Sequence, residues 1–220
     1  MSNKKQFVVW GLGRFGSSIA LTLTDLGHEV LGIDNVEEVV QSLSKQLTHV
    51  VLCDTMEEAT VASLGIRNFD VGIVGMADLE SSLLCTMLFK EAGLKTIVAK
   101  ASTPLHGKML EKIGASMVIY PERDMGRRVA HNLASHNILD YIELSDDISL
   151  MELHVLPQMV GKSMVELNLR KNYGVNVVAI RHKDGTTTIN TSPEELFKDG
   201  DVLVVIGSKD SVLTLESGLK

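Results

Sequence analysis

The sequence predicts an α/β protein: a doubly wound parallel sheet followed by a small α+β domain. Three observations predict it. Short apolar runs rich in Val and Ile recur through the first 120 residues, and they are continuous rather than alternating. Strands buried on both faces of a parallel sheet have this pattern. Longer amphipathic runs lie between them, several closed by glycine. A glycine-rich turn follows the first apolar run directly. Six strands alternating with helices leave few topologies once crossovers are right-handed.

The apolar runs are residues 6–10, 29–33, 49–52, 71–76, 96–99 and 116–120. Between the first two, residues 12–26 set Phe15, Ile19, Leu23 and Leu26 near one helical face and stop at Gly27. Residues 57–64 stop at Gly65, and residues 79–92 stop at Gly93. Ser102-Thr103-Pro104 opens another helix with a cap and a first-turn proline, and Gly114 ends it. After Tyr120 the rhythm changes. Residues 122–135 read as one long helix, with Met125, Val129 and Leu133 on one side and Arg127 and Arg128 on another. Residues 138–144 lead into the polar break Ser145-Asp146-Asp147. The domain boundary is placed at 138/139, giving a first domain of residues 1–138 and a tail of residues 139–220.

The tail is of another kind. Residues 149–155 alternate polar and apolar, as a half-exposed strand does. Residues 163–167 form a short helix. Residues 176–181 and 186–190 flank Asp184-Gly185, a strong hairpin signal. Residues 201–206 are a further strand, and 210–216 a closing helix. This module is small for the substrate domain of a dehydrogenase.

Composition excludes several classes. The 220 residues are 45% hydrophobic, enough to build a core without disulfides. Cys53 and Cys85 form neither a disulfide framework nor a zinc site. The net charge of −7 argues against a nucleic-acid partner. The apolar run near the N-terminus is too short for a signal peptide, and no run is long enough to span a membrane. A soluble protein of a reducing compartment is expected. His131 and His136 are five apart and share no helix face. No nucleophile–base motif appears. Met87, Met109, Met117 and Met125 read as core filler.

The strongest chemical signal is Gly11-Leu12-Gly13-Arg14-Phe15-Gly16, set between a strand and a helix. The first glycine turns the chain, the second lets backbone approach a phosphate, and the third lets helix pack on strand. Free N–H groups at the helix start then meet the phosphate charge. Asp34, with Asn35 beside it, ends the next strand. It is placed to accept hydrogen bonds from both ribose hydroxyls and to disfavour a 2′-phosphate. Arg14 suits the terminal phosphates of ATP, or lies solvated at the helix start. Asp54, followed by Thr55, faces an adenine edge or caps the next helix. Met76, which ends the fourth run, and Ala77 after it join the nucleotide-binding set. Lys100 meets a phosphate or a carboxylate, or lies on the surface. Glu122 offers oxygens to a hard cation, or is a helix-start glutamate.

Taken together, KKQFVVWGLGRFGSS, GHEVLGID, SLGIRNFD, LEKIGA, YPERDMG and NLRKNYGVNVVAIRHKDG resemble the KtrA/TrkA-type regulators of bacterial potassium uptake, built from an RCK domain. The resemblance covers essentially the whole chain. It implies a non-enzymatic regulatory subunit, cytoplasmic and peripheral to the inner face of the membrane. It implies a homo-oligomer, commonly an octameric ring built from dimers, docked on a membrane potassium transporter subunit of the KtrB or TrkH type. ATP and ADP favour different ring shapes and so gate potassium flux. Gly11, Gly13, Gly16 and Asp34 would hold the nucleotide, and Arg14 would reach its terminal phosphate across a dimer interface. Glu122 matches a glutamate linked to a divalent cation, Mg or Ca, and its helix would cross between protomers. The tail resembles the RCK C-terminal domain that binds cyclic di-AMP, with Leu169, Arg170, Val175, Asn176 and Pro193 at the matching positions. One departure is the loop Gly75-Met76-Ala77-Asp78, one residue shorter than in the family. The competing readings are an NAD-dependent oxidoreductase and an NADH-sensing regulator.

Overall fold

The computed structural model describes residues 4–134, 137–145, 147–189 and 191–218. Ser135 at the expected helix end, His136, Asp146 of the polar break and Asn190 of the hairpin lie outside the described residues. The chain divides into two units, Met1–Arg123 and Asp124–Lys220.

The first unit opens with β1 (Gln6–Trp10), α1 (Arg14–Asp25), β2 (Glu29–Asp34), α2 (Glu37–Leu43) and β3 (His49–Leu52). Then come α3 (Glu58–Ser63), a 3₁₀ turn at Ile66–Asn68, β4 (Val71–Val74), α4 (Leu79–Glu91), β5 (Thr96–Lys100), α5 (Pro104–Ile113) and β6 (Met117–Ile119). All six strands run parallel, in the order β3-β2-β1-β4-β5-β6. Strand order therefore reverses between β1 and β4, where a crevice opens outside the strand ends.

The continuous apolar runs have a direct cause. Along β1, Phe7 and Val9 pack with Ala20 and Leu43 on one face of the sheet. Val8 and Trp10 pack with Phe89 and Leu110 on the other. Both sets are buried, so no position alternates to solvent. Each such side chain contributes roughly 1.5–3 kcal/mol of hydrophobic stabilisation. The helix stops also follow the sequence: Gly27 and Gly93 take positive φ, at 87° and 91°. Thr103 caps α5 by accepting the His106 N–H at 3.1 Å.

Several expectations change. β4 ends at Val74 rather than residue 76, because Gly75 leaves the strand to pack on the glycine turn. α2 carries no strong sequence signal, since Leu43 is its one buried residue. Leu26 caps α1 and is exposed instead of packed. The four methionines are not core: Met87, Met109, Met117 and Met125 are all exposed. On α4 the inward positions belong to Cys85, Leu88 and Phe89, and on α5 to His106, Gly107 and Leu110. Met87 and Met109 lie off those stripes.

α6 (Pro121–Ala134) follows, and the division between units falls inside it, ahead of the sequence-based boundary at 138/139. The reason is chemical. Arg128 forks onto both oxygens of Asp140, with Nε donating to Oδ1 at 2.7 Å. The His131 and Tyr141 rings lie 4.5 Å apart. These contacts tie α6 to β7 (Ile138–Glu143), a strand that the sequence left untyped.

The second unit continues with β8 (Ser149–His154), a 3₁₀ turn at Pro157–Met159, α7 (Met164–Leu167) and α8 (Leu169–Tyr173). It closes with β9 (Asn176–Arg181), β10 (Thr187–Ile189), β11 (Val202–Gly207) and α9 (Lys209–Gly218). The sheet is antiparallel, in the order β10-β9-β11-β8-β7. Ser163 and Glu166 form a reciprocal capping box on α7. The Asp184-Gly185 turn joins β9 to β10 as expected, with the His182 N–H donating to the Thr186 carbonyl at 2.8 Å. Met151, Leu153, Ile180, Leu203 and Phe197 centre its core. Among the described residues no helix is long and apolar enough to cross a membrane.

Candidate functional site

The glycine turn connects β1 to α1 at the β1/β4 switch point. Gly11 has φ of 91°, a conformation only glycine adopts at little cost. Its N–H donates to the Ile33 carbonyl at 2.8 Å, fastening the turn to β2. A Cβ on Gly16 would lie 1.9 Å from the Gly11 carbonyl oxygen, so helix and turn touch backbone to backbone. A Cβ on Gly13 would meet nothing within 4 Å. The three glycines thus divide their roles: two close the turn and one faces open space. Gly13 is also the N-cap of α1, with no side-chain cap bond. The first N–H groups of the helix, with the positive end of its dipole, suit an anion.

Asp34 ends β2 and is buried. Its Oδ2 accepts the Leu12 N–H at 2.6 Å, and its Oδ1 accepts the Val36 N–H at 2.9 Å. One oxygen holds the glycine turn and the other holds the next loop. A carboxylate has about four acceptor sites, so two remain for a ligand.

A cavity of about 120 Å³ opens beside these groups. Of the residues singled out in the sequence, Gly11, Asp34, Asn35, Asp54 and Met76 line it. Asp54 does not cap α3, whose N-cap is Glu57 without a side-chain bond. Asp54 lines the cavity instead. Thr55 and Ala77 are exposed neighbours of lining residues. Arg14 is exposed and Phe15 half-buried on the first turn of α1. Sequence reasoning missed Trp10, Cys53, Met56, Asp78 and Ser81, which also line the cavity. Asp78 and Ser81 had a usable signal, a cap signature directly after a strand end. Asp78 caps α4 by accepting the Ser81 N–H at 2.8 Å, and that bond holds its carboxyl below the usual range. Two larger grooves, about 540 and 500 Å³, lie around Arg67 and Leu88 and around Thr48 and Phe69. Neither is lined by Gly11 or Asp34, so the small cavity is the candidate site.

Lys100 meets a carboxylate, and that carboxylate is Glu122. Its Nζ lies 2.6 Å from Oε1 of Glu122, the lysine largely buried and the glutamate exposed. The bond from Lys100 lowers the Glu122 pKa, and the Arg14 charge adds to the effect. A divalent cation takes about six or more oxygens. Glu122 has two, one already bonded, and no group of three His, Cys, Asp or Glu converges among the described residues. The residues of one chain therefore do not fit a cation at Glu122.

In the second unit, Arg170, Asn176 and Pro193 are exposed, on α8, at the start of β9 and in the β10–β11 connection. Leu169 and Val175 are core residues there. Their side chains point into the core, which leaves only their backbone for a ligand.

Comparison with known proteins agrees with this architecture. The TrkA-N domain model matches residues 7–121, and the TrkA-C domain model matches residues 150–219. The chain is 42% identical to Ktr system potassium uptake protein A of Bacillus subtilis (strain 168), over 97% of this chain and 96% of that protein. It is 40% identical to Ktr system potassium uptake protein C of the same strain, over the same shares. It is 34% identical to Ktr system potassium uptake protein A of Vibrio alginolyticus, over 94% of each. Among solved structures, the GsuK RCK domain superposes with a TM-score of 0.67 at 19% identity, over 98% of this chain and 48% of that one. The GsuK channel bound to NAD gives 0.68 at 18% identity, over 100% of this chain and 40% of that one. The two likenesses establish the shared RCK fold. A six-stranded parallel unit matching TrkA-N, a tail matching TrkA-C and 34–42% identity with Ktr proteins over nearly the whole chain make one conclusion: the chain belongs to the TrkA-N/TrkA-C family of Ktr and Trk system potassium uptake proteins.

Proposed function

We propose that this chain is the regulatory subunit of a potassium uptake system and senses ATP and ADP at the crevice between β1 and β4. The observation that carries the reading is the uncapped start of α1 at Gly13, open to solvent beside the buried carboxylate of Asp34. One end suits a phosphate and the other a ribose. Arg14, exposed beside that helix start, is the group for a terminal phosphate. The protein acts on a membrane partner of the KtrB or TrkH type and sits at the cytoplasmic face through it. It catalyses no reaction. A nucleotide moves such an assembly only by binding one shape better than the other.

The assembly we propose is a homo-oligomeric ring, octameric and built from dimers. α6 supports it: none of its residues is buried, and Met125, Val129 and Leu133 form an exposed apolar stripe. A divalent cation at Glu122 belongs to this reading only where a second copy or the nucleotide phosphates supply the missing oxygens. The tail is the place for cyclic di-AMP, with the exposed Arg170 guanidinium for phosphate and Asn176 for hydrogen bonds.

Calorimetric titration with ATP, ADP, NAD and cyclic di-AMP tests these assignments. Arg14→Ala is expected to weaken ATP by about 10-fold or more, the scale of a lost charge-assisted hydrogen bond, and ADP much less. Equal losses for both nucleotides would remove the terminal-phosphate role. Arg170→Ala is expected to weaken cyclic di-AMP and leave ATP unchanged; a variant with full cyclic di-AMP affinity counts against the tail site. Binding of NAD or NADH alone would restore the oxidoreductase and NADH-sensor readings.

A further inference from the structure

His106 is a buried imidazole to which the nucleotide reading gives no role. It sits in the first turn of α5, 2% exposed, packed against the first turns of α4. Its Nε2 lies 2.7 Å from Oγ of Ser82, which is itself fully buried. The Ser82 hydroxyl donates to the Leu79 carbonyl at 3.0 Å. On the other side of the ring, the Ser102 N–H points at Nδ1 at 3.4 Å. These neighbours assign the proton. The Ser82 hydroxyl gives its hydrogen to Leu79, so Nε2 carries the ring proton and gives it to Ser82, and Nδ1 accepts from Ser102.

The chain of bonds ends at the cavity. Ser82 lies one residue after Ser81 and four after Asp78, both of which line the cavity. Its own N–H donates to the Asp78 carbonyl at 3.3 Å, and its carbonyl accepts the Thr86 hydroxyl at 2.7 Å. The turn bearing Asp78 and Ser81 is thus anchored from behind by the imidazole. We propose that His106 is a positioning residue for nucleotide binding, a neutral imidazole that holds the first turn of α4 as one wall of the cavity through Ser82. The role rests on the nucleotide reading of that cavity.

Protonation makes Nδ1 a donor: it loses the Ser102 N–H and must turn instead to the Ser102 hydroxyl, 3.3 Å away. Asp78 at the α4 cap is the charged group acting on the ring, and it favours the proton. Ser82 and Ser102 present hydroxyls, Thr103 caps the helix beneath it, and on the β6 side Tyr120 packs against the adjacent Gly107. Burial outweighs Asp78 and lowers the His106 pKa from its ordinary 6.5. The unfolded chain then binds a proton that the folded chain refuses. The stability contributed by the neutral ring is complete above about pH 6.5 and is lost as pH falls through the lowered value.

The test uses the full chain and its single tryptophan, Trp10, which lines the cavity. ADP and NAD are titrated against its emission at about pH 7.5 and about pH 5.5, NAD because its phosphates do not titrate in that range. The wild type is expected to bind both ligands less tightly at the lower pH. His106→Gln, which keeps an amide donor for Ser82 but no titrating ring, is expected to bind nearly as wild type at the higher pH and to lose most of the pH dependence. Ser82→Ala is expected to weaken both ligands about fivefold at the higher pH while melting as a folded protein. If Ser82→Ala does not fold, the pH profile of His106→Gln decides. A wild-type pH slope in His106→Gln, or wild-type affinity in a folded Ser82→Ala, overturns the role. A wild type that binds neither ligand overturns this role and the cavity reading together; binding without the pH and variant effects overturns this role alone.

Discussion

Gly16→Ala is expected to abolish nucleotide binding and to destabilise the first unit by about 3 kcal/mol or more. The added carbon would sit 1.9 Å from the Gly11 carbonyl oxygen, far inside contact distance. Neither partner yields easily. Gly11 is fixed by its bond to Ile33 and by contact with the Met76 backbone, and α1 is held by Ala20 and Ile19 in the sheet-facing core. Relief therefore requires moving the helix or opening the turn, and either one displaces the N–H groups at Gly13. Urea denaturation and calorimetry check the two effects. A variant that keeps wild-type stability and nucleotide affinity would show that the backbone contact is not rigid. Gly13→Ala separates the roles, because its added carbon meets only open space. It is expected to leave stability nearly unchanged and to weaken the ligand.

Asp34→Ala is expected to lose both stability and nucleotide affinity. Two backbone N–H groups depend on the carboxylate, and that of Leu12 belongs to a buried residue. An orphaned buried donor costs about 1–3 kcal/mol, so the pair predicts a loss of roughly 2–4 kcal/mol in urea denaturation. Asp34→Asn is expected to recover only part, since one side of an amide presents hydrogens to a backbone donor. Unchanged stability in Asp34→Ala would mean that water replaces the carboxylate. Equal stability loss with unchanged nucleotide affinity would confine Asp34 to fastening the glycine turn.

Much of the first unit is legible because its strands are covered on both faces. Val8 and Val9 point to opposite sides of the sheet, yet both meet core, so the run stays apolar. Glycine stops make the helix ends readable, and the glycines at 11, 13 and 16 announce the turn between β1 and α1. α2 and α8 are less legible because short helices with one buried residue each carry no periodic stripe. The methionines show a different limit. Their hydrophobicity is visible in sequence, but the face of α4 or α5 that packs on the sheet is set by neighbours such as Phe89 and Leu110.

The site divides in the same way. Gly11, Gly13, Gly16 and Asp34 are readable because local geometry demands those residue types at that spacing. The roles of Asp54 and Lys100 stayed open, since each depended on a partner that folding alone brings near: a cavity for one and Glu122 for the other. The double duty of Asp34 and the pairing of His106 with Ser82 leave no trace in sequence, the latter pair lying 24 residues apart. From sequence alone came the doubly wound topology, the hairpin of the tail and the glycine turn between β1 and α1, because each rests on local backbone rules and on burial period. Tertiary structure alone decided which carboxylate oxygens are already engaged, which hydrophobic side chains stay outside, and which buried serine meets the imidazole of His106. Those outcomes depend on distances between residues far apart in the chain, and no local pattern encodes them.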